Sequence, residues 1–110
     1  MKNKLTIDTE VKKLSRQIQQ RYAPEKIILF GSCARGDYDD YSDIDMIIIK
    51  QTDKRFLDRI KDVLMICDYR IAFEPLVYTP AEVKEMSSWN TFIQGALKEG
   101  KVLYERKQSA

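Results

Sequence analysis

Two short apolar runs that lie close together in the chain constrain its fold more than any other feature. Residues Lys26–Phe30 read KIILF and residues Ile44–Ile49 read IDMIII, and neither run shows regular alternation of apolar and polar side chains. A strand with one face in water usually alternates, whereas a strand that is covered on both faces does not need to. The two runs therefore predict buried strands in a small sheet with helices packed on it.

Apolar residues at helical spacing predict two helices around these strands. The first helix is expected over residues 9–22, where Asp8 or Thr9 provides the N-cap. The second is expected over residues 54–66, where an apolar stripe faces the core and charged residues form the outer face. Both helices are long enough to cover part of the sheet.

Capping residues predict two more helices later in the chain. The stretch TPAE at residues 79–82 has the capping threonine, the early proline and the glutamate of a helix start. Asn90 is suited to cap a last helix that ends at Gly100.

Two further strands complete the predicted sheet. Residues 69–78 are expected to form a longer strand, and Pro75 inside it indicates a sheet edge or a bulge. Residues 102–104 are expected to add a short final strand. The fold class predicted from these elements is α/β (α+β), a small mixed sheet flanked by helices, in a single domain that spans residues 1–110.

Composition excludes several classes of protein. The 110 residues carry 19 basic and 17 acidic side chains, a net charge of +2, so no strong general binding to nucleic acid or to a membrane is expected. No secretory signal and no membrane-spanning run is visible, which predicts a cytoplasmic protein. The absence of histidine excludes Ser-His triads, Cys-His dyads and histidine-ligated zinc. Any chemistry must depend on carboxylates, hydroxyls and cations.

The segment GSCARGDYDDYSDID, residues 31–45, lies between the two apolar runs. Gly31 and Gly36 have the spacing of a phosphate-binding P-loop, but an aspartate and a tyrosine follow where that motif needs Lys and Ser or Thr. A calcium-binding EF-hand that began at Asp37 would need glycine and glutamate where Ser42 and Ile48 stand. Both a Walker-type NTPase and an EF-hand are therefore excluded.

Two aspartates at the end of this segment predict a cation site. Asp43 and Asp45 are two residues apart at the start of a strand, so their side chains project from the same face. Magnesium commonly takes one or two protein carboxylates and completes its shell with water and phosphate oxygens. Gly31 and Ser32 supply the complementary half, a hydroxyl and backbone donors for phosphate, to which Arg35 could add a cation.

The longer segment LFGSCARGDYDDYSDIDMIII resembles the signature of the minimal nucleotidyltransferases of the DNA polymerase β superfamily. That signature is written G-S-x-A-R-G, a variable acidic loop, then S-D-I-D and a hydrophobic strand. The resemblance implies the polymerase beta-like nucleotidyltransferase fold, with Asp43 and Asp45 as catalytic metal ligands. Alignment on Tyr78, which precedes a Thr-Pro pair, puts Glu74 at the place of the family's third carboxylate, commonly aspartate. The implied nucleotide-binding residues are Gly31, Ser32, Arg35, Gly36 and Ser42.

The resemblance also implies an activity and a partner. The expected activity is Mg²⁺-dependent transfer, with two ions, of AMP from ATP to an acceptor hydroxyl, with release of pyrophosphate. Minimal nucleotidyltransferases are often paired with a helical HEPN-type protein in toxin–antitoxin modules, where they act as the antitoxin, and a homo-oligomer is an alternative way to complete the acceptor site. Two other functions are left open: a catalytically weak nucleotide-binding or antitoxin protein that acts by partner contact, and a nucleotidyltransferase for a small molecule such as an aminoglycoside.

Overall fold

The structure, a computed structural model, describes residues 4–107 and confirms the predicted fold class. Nine helices and strands follow one another in this range: α1 (Lys4–Tyr22), β1 (Lys26–Phe30), α2 (Ser32–Arg35), β2 (Ile44–Ile49), α3 (Phe56–Ile66), β3 (Phe73–Tyr78), α4 (Pro80–Met86), α5 (Thr91–Glu99) and β4 (Lys101–Glu105). No helix in this part of the chain is long and apolar enough to cross a membrane.

The four strands form one mixed sheet in the order β3-β2-β1-β4. β1 pairs antiparallel with both β2 and β4, while β2 pairs parallel with β3. The two apolar runs of the sequence are thus the two central strands, with the bounds that the sequence predicts.

Both faces of the sheet are covered, because each central strand contributes side chains to two separate apolar clusters. The larger cluster joins one face of the sheet to α1 and α3, and the smaller joins the other face to α5. Ile27 and Met46 belong to the first cluster, and Ile28 and Ile47 to the second. All four side chains are buried. This explains why neither run needed regular alternation of polar and apolar residues.

The first helix is longer than predicted. It begins at Lys4, so Asp8 and Thr9 lie inside the helix and are not its caps. Ile7 is only 1% exposed and stands one turn before Val11 in the buried stripe, and its packing extends the helix toward the N-terminus.

β3 is shorter than predicted, since it starts at Phe73 and not near residue 69. Its partner β2 begins at Ile44, which is paired with Phe73, so earlier residues have no strand beside them. The edge position predicted from Pro75 is confirmed, and the β2–β3 register runs without a shift past it.

Pro75 removes no hydrogen bond from the sheet. The carbonyls of Ala72 and Tyr78 accept N–H groups at the two ends of β2, at 2.8 and 3.0 Å. Because backbone direction alternates along a strand, the residues between them with even numbers face β2 and Pro75 faces the open side. The proline ring is therefore tolerated where no donor is needed.

The predicted caps of the two last helices are confirmed. Thr79 and Glu82 form a capping box, in which the Thr79 hydroxyl accepts from the Glu82 N–H at 3.1 Å and the Glu82 carboxylate accepts from the Thr79 N–H at 2.8 Å. The Asn90 side chain accepts from the Ile93 N–H at 3.0 Å, and the helix ends at Gly100.

Candidate functional site

The predicted site residues come together at one end of the sheet. β1 ends where β2 and β3 begin, because β1 is antiparallel to β2 and β2 is parallel to β3. Phe30 is paired with Asp45, and Asp45 is paired with Glu74. Gly31 follows Phe30 directly. The strand register therefore brings Gly31, which is predicted to bind phosphate, and two of the three predicted carboxylates to one edge.

Gly31 approaches Asp45 more closely than any other residue type could. Its backbone has φ 75° and ψ −157°, a conformation that side chains rarely adopt. A Cβ atom at Gly31 would lie 2.6 Å from Oδ2 of Asp45, which is too close for a non-bonded contact. The missing side chain leaves room around the Asp45 carboxylate.

Asp45 and Glu74 lie side by side. Paired residues of neighbouring parallel strands point to the same face of the sheet. Burial, a hydrogen bond with Glu74, the charge of Glu74 and the charge of Asp43 together raise the pKa of Asp45 to about 6, while the charge of Arg35 opposes them. Asp45 is half-buried and Glu74 is exposed. The structure thus places the predicted third carboxylate next to the second, and Pro75 does not move it out of register.

Cys33 connects Asp43 to the segment that is predicted to bind phosphate. The buried Cys33 thiol donates to the backbone carbonyl of Asp43 at 3.4 Å, which connects α2 to the residue before β2. Sequence reasoning missed this contact because Cys33 occupies a variable position of the motif. Cys33 and Asp43 are ten residues apart in the sequence and come into contact only because the loop between them folds back.

Arg35 has a local partner as well as an influence on the site. Its Nε donates to Oδ2 of Asp37 at 3.1 Å, and about half of its side chain is exposed. Its positive charge still lowers the pKa of Asp45. The arginine therefore lies within electrostatic range of the carboxylates while it is held by the acidic loop.

Gly36 and Ser42 have clear structural roles in the loop. Gly36 ends α2 in the left-handed conformation, φ 86°, and its N–H donates to the Ser32 carbonyl at 2.8 Å. The Ser42 hydroxyl accepts from the Asp39 N–H at 2.9 Å and donates to Oδ1 of Asp39 at 3.2 Å. These bonds shape the turn between the two halves of the site, and their nucleotide-binding role stays a prediction.

A groove opens beside Gly31 on the face of the sheet that α5 covers. It has a volume of about 320 Å³ and runs between the end of β1 and α5. Phe30 and Phe92 form an edge-to-face pair across it, with ring centroids 5.4 Å apart. Its lining residues are Phe30, Gly31, Arg35, Thr91, Phe92, Gly95, Ala96 and Glu99. Of the predicted site residues, Gly31 and Arg35 line this groove, and the three predicted carboxylates do not.

The donor atoms at this edge are of the type that a hard divalent cation prefers. Carboxylate oxygens are the ligands that Mg²⁺ prefers. Burial is the main reason that the pKa of Asp45 is raised, and a cation would relieve the further contribution from the charges of Glu74 and Asp43. The space at Gly31 gives access to Oδ2 of Asp45. Within residues 4–107, however, no group of three or more His, Cys, Asp or Glu side chains is gathered closely enough to hold a metal ion. The three predicted ligands are thus neighbours and not a finished cluster.

Comparison with known proteins identifies a family. A model of the family described as Polymerase beta, Nucleotidyltransferase matches residues 12–109, a range that contains every predicted site residue.

Two proteins of Methanocaldococcus jannaschii, both described as candidate protein adenylyltransferases, are similar in sequence. The first is 38% identical over 73% of this chain and 58% of its own length. The second is 36% identical over 73% of this chain and 78% of its own length. The chain therefore spans less than two thirds of the first relative and more than two thirds of the second.

The fold is shared with a crystal structure of a candidate nucleotidyltransferase from Sulfolobus solfataricus. The TM-score is 0.67, with 22% sequence identity, and the match covers 94% of this chain and 84% of that chain. The predicted polymerase beta-like fold is thereby confirmed.

Proposed function

Because this chain belongs to the polymerase beta nucleotidyltransferase family, we propose that it transfers AMP from ATP to an acceptor hydroxyl in a Mg²⁺-dependent reaction. The observation that carries this proposal is the close approach of Asp45 to Gly31, together with the register that sets Glu74 beside Asp45. This arrangement supports a metal site formed by carboxylates beside Gly31, where no side chain would obstruct phosphate.

The reaction exchanges one P–O bond for another. The acceptor oxygen forms a bond to the α-phosphorus of ATP, and the bond from that phosphorus to the oxygen that bridges to the β-phosphate breaks. The bridging oxygen keeps the electron pair and leaves with pyrophosphate. Glu74, the exposed carboxylate of the set, takes up the proton that the acceptor hydroxyl loses.

The other residues of the site are proposed to bind the metal and the phosphates. Asp43, Asp45 and Glu74 would hold Mg²⁺, with two ions expected, and magnesium would supply neutralisation of the charge that develops on the leaving pyrophosphate. Gly31 and Ser32 bind and orient the phosphates. The acceptor enters along the groove beside Phe92.

Calorimetry with a non-hydrolysable ATP analogue tests the site. Wild-type protein is expected to bind the analogue only in the presence of Mg²⁺, and Asp43→Ala or Asp45→Ala is expected to abolish that binding. Asp40→Ala is the matched control, because it removes the same charge from the exposed loop between the two half-sites. If binding survives both site substitutions, these carboxylates do not hold the metal.

A protein acceptor is proposed for the transferred AMP. Support comes from the relatives that are described as candidate protein adenylyltransferases, and resemblance to minimal nucleotidyltransferases suggests a HEPN-type partner in a toxin–antitoxin pair. Incubation with ATP labelled at the α-phosphate, Mg²⁺ and the protein encoded by a neighbouring gene should label that partner. A partner that is bound and neutralised without label would instead indicate action by contact alone.

A further inference from the structure

Glu10 of α1 is a buried carboxylate that the proposed reaction does not use. Only 8% of its side chain is exposed. Its Oε2 accepts from the N–H groups of Arg70 and Ile71, at 2.5 and 3.3 Å, and its Oε1 pairs with Nζ of Lys13 at 2.9 Å. Burial by itself raises the pKa of Glu10, but the hydrogen bonds from Lys13 and from the two amides lower it overall. Glu10 is therefore a charged, buried group whose two carboxylate oxygens both have partners.

The amides that Glu10 holds lie immediately before the carboxylate end of the sheet. Ile71 is followed by Ala72, whose carbonyl accepts from the Ile44 N–H at 2.8 Å. That bond precedes the paired residues of β2 and β3, and the two aspartates of the site flank Ile44 in sequence. Glu74 comes two residues after Ala72. A shift of the segment at Arg70 would thus move Glu74 relative to the aspartates.

Two other side chains of α1 hold the earlier part of the same connection. The Gln17 side-chain oxygen accepts from the Asp68 N–H at 2.9 Å, and Nη1 of Arg21 donates to the Ile66 carbonyl at 2.8 Å. Gln17 and Arg21 follow Glu10 by seven and eleven residues, so all three lie on one face of the helix. Of these three, Glu10 binds the segment nearest to Glu74.

We propose that Glu10 is a positioning residue that keeps Glu74 in register with Asp45 by fixing the backbone amides of Arg70 and Ile71. It acts on the site from the opposite face of the sheet, through the main chain, and touches no substrate. Residues that orient metal ligands from behind typically change metal affinity about 10- to 100-fold when they are removed. The metal readout of this inference rests on the proposed function, whereas its structural readout does not.

Amide hydrogen exchange tests the structural part. In Glu10→Ala, exchange of the Ile44 N–H is expected to be about ten-fold faster than in wild type. The Lys50 N–H donates to the Tyr78 carbonyl at the other end of the same strand pair, and its exchange is expected to be unchanged. Lys13→Ala, which removes the ion pair but leaves both amide bonds, should behave as wild type.

Titration with Mn²⁺ alone, followed by calorimetry at a temperature where every variant is folded, tests the metal part. The Kd of Glu10→Ala is expected to rise about ten-fold, the lower end of the range for such residues. Glu10→Gln keeps an oxygen that can accept from both amides and should restore near wild-type affinity. Arg21→Ala, which releases the Ile66 carbonyl at the far end of the connection, should have little effect.

The outcomes separate the two proposals. If Ile44 and Lys50 exchange faster by the same factor, or if Mn²⁺ affinity is unchanged in folded Glu10→Ala, Glu10 only stabilises the fold and the positioning role is overturned. If wild type binds no Mn²⁺, the proposed function fails, and the exchange result alone decides the role of Glu10. Should Glu10→Ala not fold, Glu10→Asp, whose shorter side chain withdraws from the amides, is judged by the same criteria.

Discussion

Two glycines that both have positive φ angles have different roles in the candidate site. Gly31 and Gly36 both have positive φ angles, 75° and 86°. A Cβ atom at Gly31 would collide with the Asp45 carboxylate, whereas a Cβ atom at Gly36 would meet nothing within 4 Å. Both positions favour glycine for backbone reasons, but only Gly31 is also required by the space around a site residue.

Gly31→Ala should therefore abolish Mg²⁺-dependent ATP binding, with Gly36→Ala as the matched control. Both substitutions are expected to lower the free energy of unfolding. Gly36→Ala should do so by about 1–2 kcal/mol, because alanine disfavours the left-handed region, and Gly31→Ala by more, because its backbone conformation is essentially restricted to glycine. Only Gly31→Ala displaces Asp45 as well, so only that variant should lose nucleotide binding, measured by calorimetry on folded protein. Equal binding by both variants would contradict the close-approach role of Gly31.

The resemblance to minimal nucleotidyltransferases implies an aspartate at the position of Glu74. Substitutions of Glu74 test whether a carboxylate is needed there and whether the length of its side chain matters. Glu74→Gln should lower the rate of AMP transfer about a hundred-fold, since it removes the proton acceptor and one metal ligand. Glu74→Asp should retain most activity, because the strand register holds either carboxylate beside Asp45. Rates of pyrophosphate release at saturating ATP and Mg²⁺ check both. Wild-type activity in Glu74→Gln would remove Glu74 from the site.

At the scale of helices and strands, the edge strand β3 is held from outside by α3 and α4. Arg59 of α3 is buried, and its Nη1 donates to the carbonyl of Val77 on the open side of β3 at 3.2 Å and to Oε1 of Glu82 at 2.7 Å. The Glu82 carboxylate also caps α4 through the Thr79 N–H. One guanidinium and one carboxylate thus join three elements and cover part of a free sheet edge, which limits pairing with other chains.

The stability contributed by Glu82 should depend on pH. The Arg59 guanidinium and the Thr79 backbone hold the pKa of Glu82 below its ordinary value of 4.5, although burial opposes them. A carboxyl with a lowered pKa stabilises the fold above its unfolded-state pKa, and that contribution is lost as the pH falls through the folded-state pKa.

Urea unfolding of wild type and Glu82→Gln at a series of pH values measures this contribution. Wild type should be more stable by about 1 kcal/mol at pH 7, because a hydrogen-bonded charge is replaced by a neutral amide. The difference should shrink below the ordinary glutamate pKa of 4.5. Glu99→Gln, at an exposed position of α5, should show no such trend. A difference that is constant with pH would show that the ion pair contributes nothing.

The sequence predicted correctly the strand bounds that depend on nearby residues. It predicted incorrectly the starts of α1 and β3, which depend on tertiary packing. The bounds of β1 and β2 are as predicted, because a covered apolar run followed by glycine leaves few alternatives. The start of α1 was wrong because Ile7 is recruited by the core, and the start of β3 was wrong because it depends on where β2 begins. Ile7 stands at helical spacing before Val11, so the first cause was visible beside the boundary, whereas the second depends on a strand elsewhere in the chain.

At the scale of the whole molecule, the same division applies to the site. The motif predicted Gly31, Asp43 and Asp45 from spacing, and alignment with the family pattern predicted Glu74, which the register sets beside Asp45. The contact from Cys33 to Asp43 and the bonds from Glu10 to Arg70 and Ile71 join residues that are 10, 60 and 61 positions apart. Such contacts form only when the sheet and α1 pack together, so no short sequence motif could predict them.

The fold as a whole should be less stable because of its site. Burial and the neighbouring charges of Glu74 and Asp43 both disfavour the charged form of Asp45 and raise its pKa. Asp45→Asn removes one charge from this group, so in EDTA the variant should unfold at a higher temperature than wild type, by an amount equivalent to about 1 kcal/mol.

Added Mg²⁺ should reverse the order. Wild type gains stability by mass action, about 2.7 kcal/mol when the free metal is 100 times its Kd, whereas Asp45→Asn should gain little. Asp40→Asn controls for the change in net charge. Thermal unfolding of wild type and both variants is measured in EDTA and in excess Mg²⁺, which gives the stability of each variant relative to wild type under each condition. If Asp45→Asn is less stable than wild type in EDTA, repulsion does not dominate this edge. The carboxylates would then be held by contacts that favour their charge without metal, and the case for a cation site at the end of β1 would be lost.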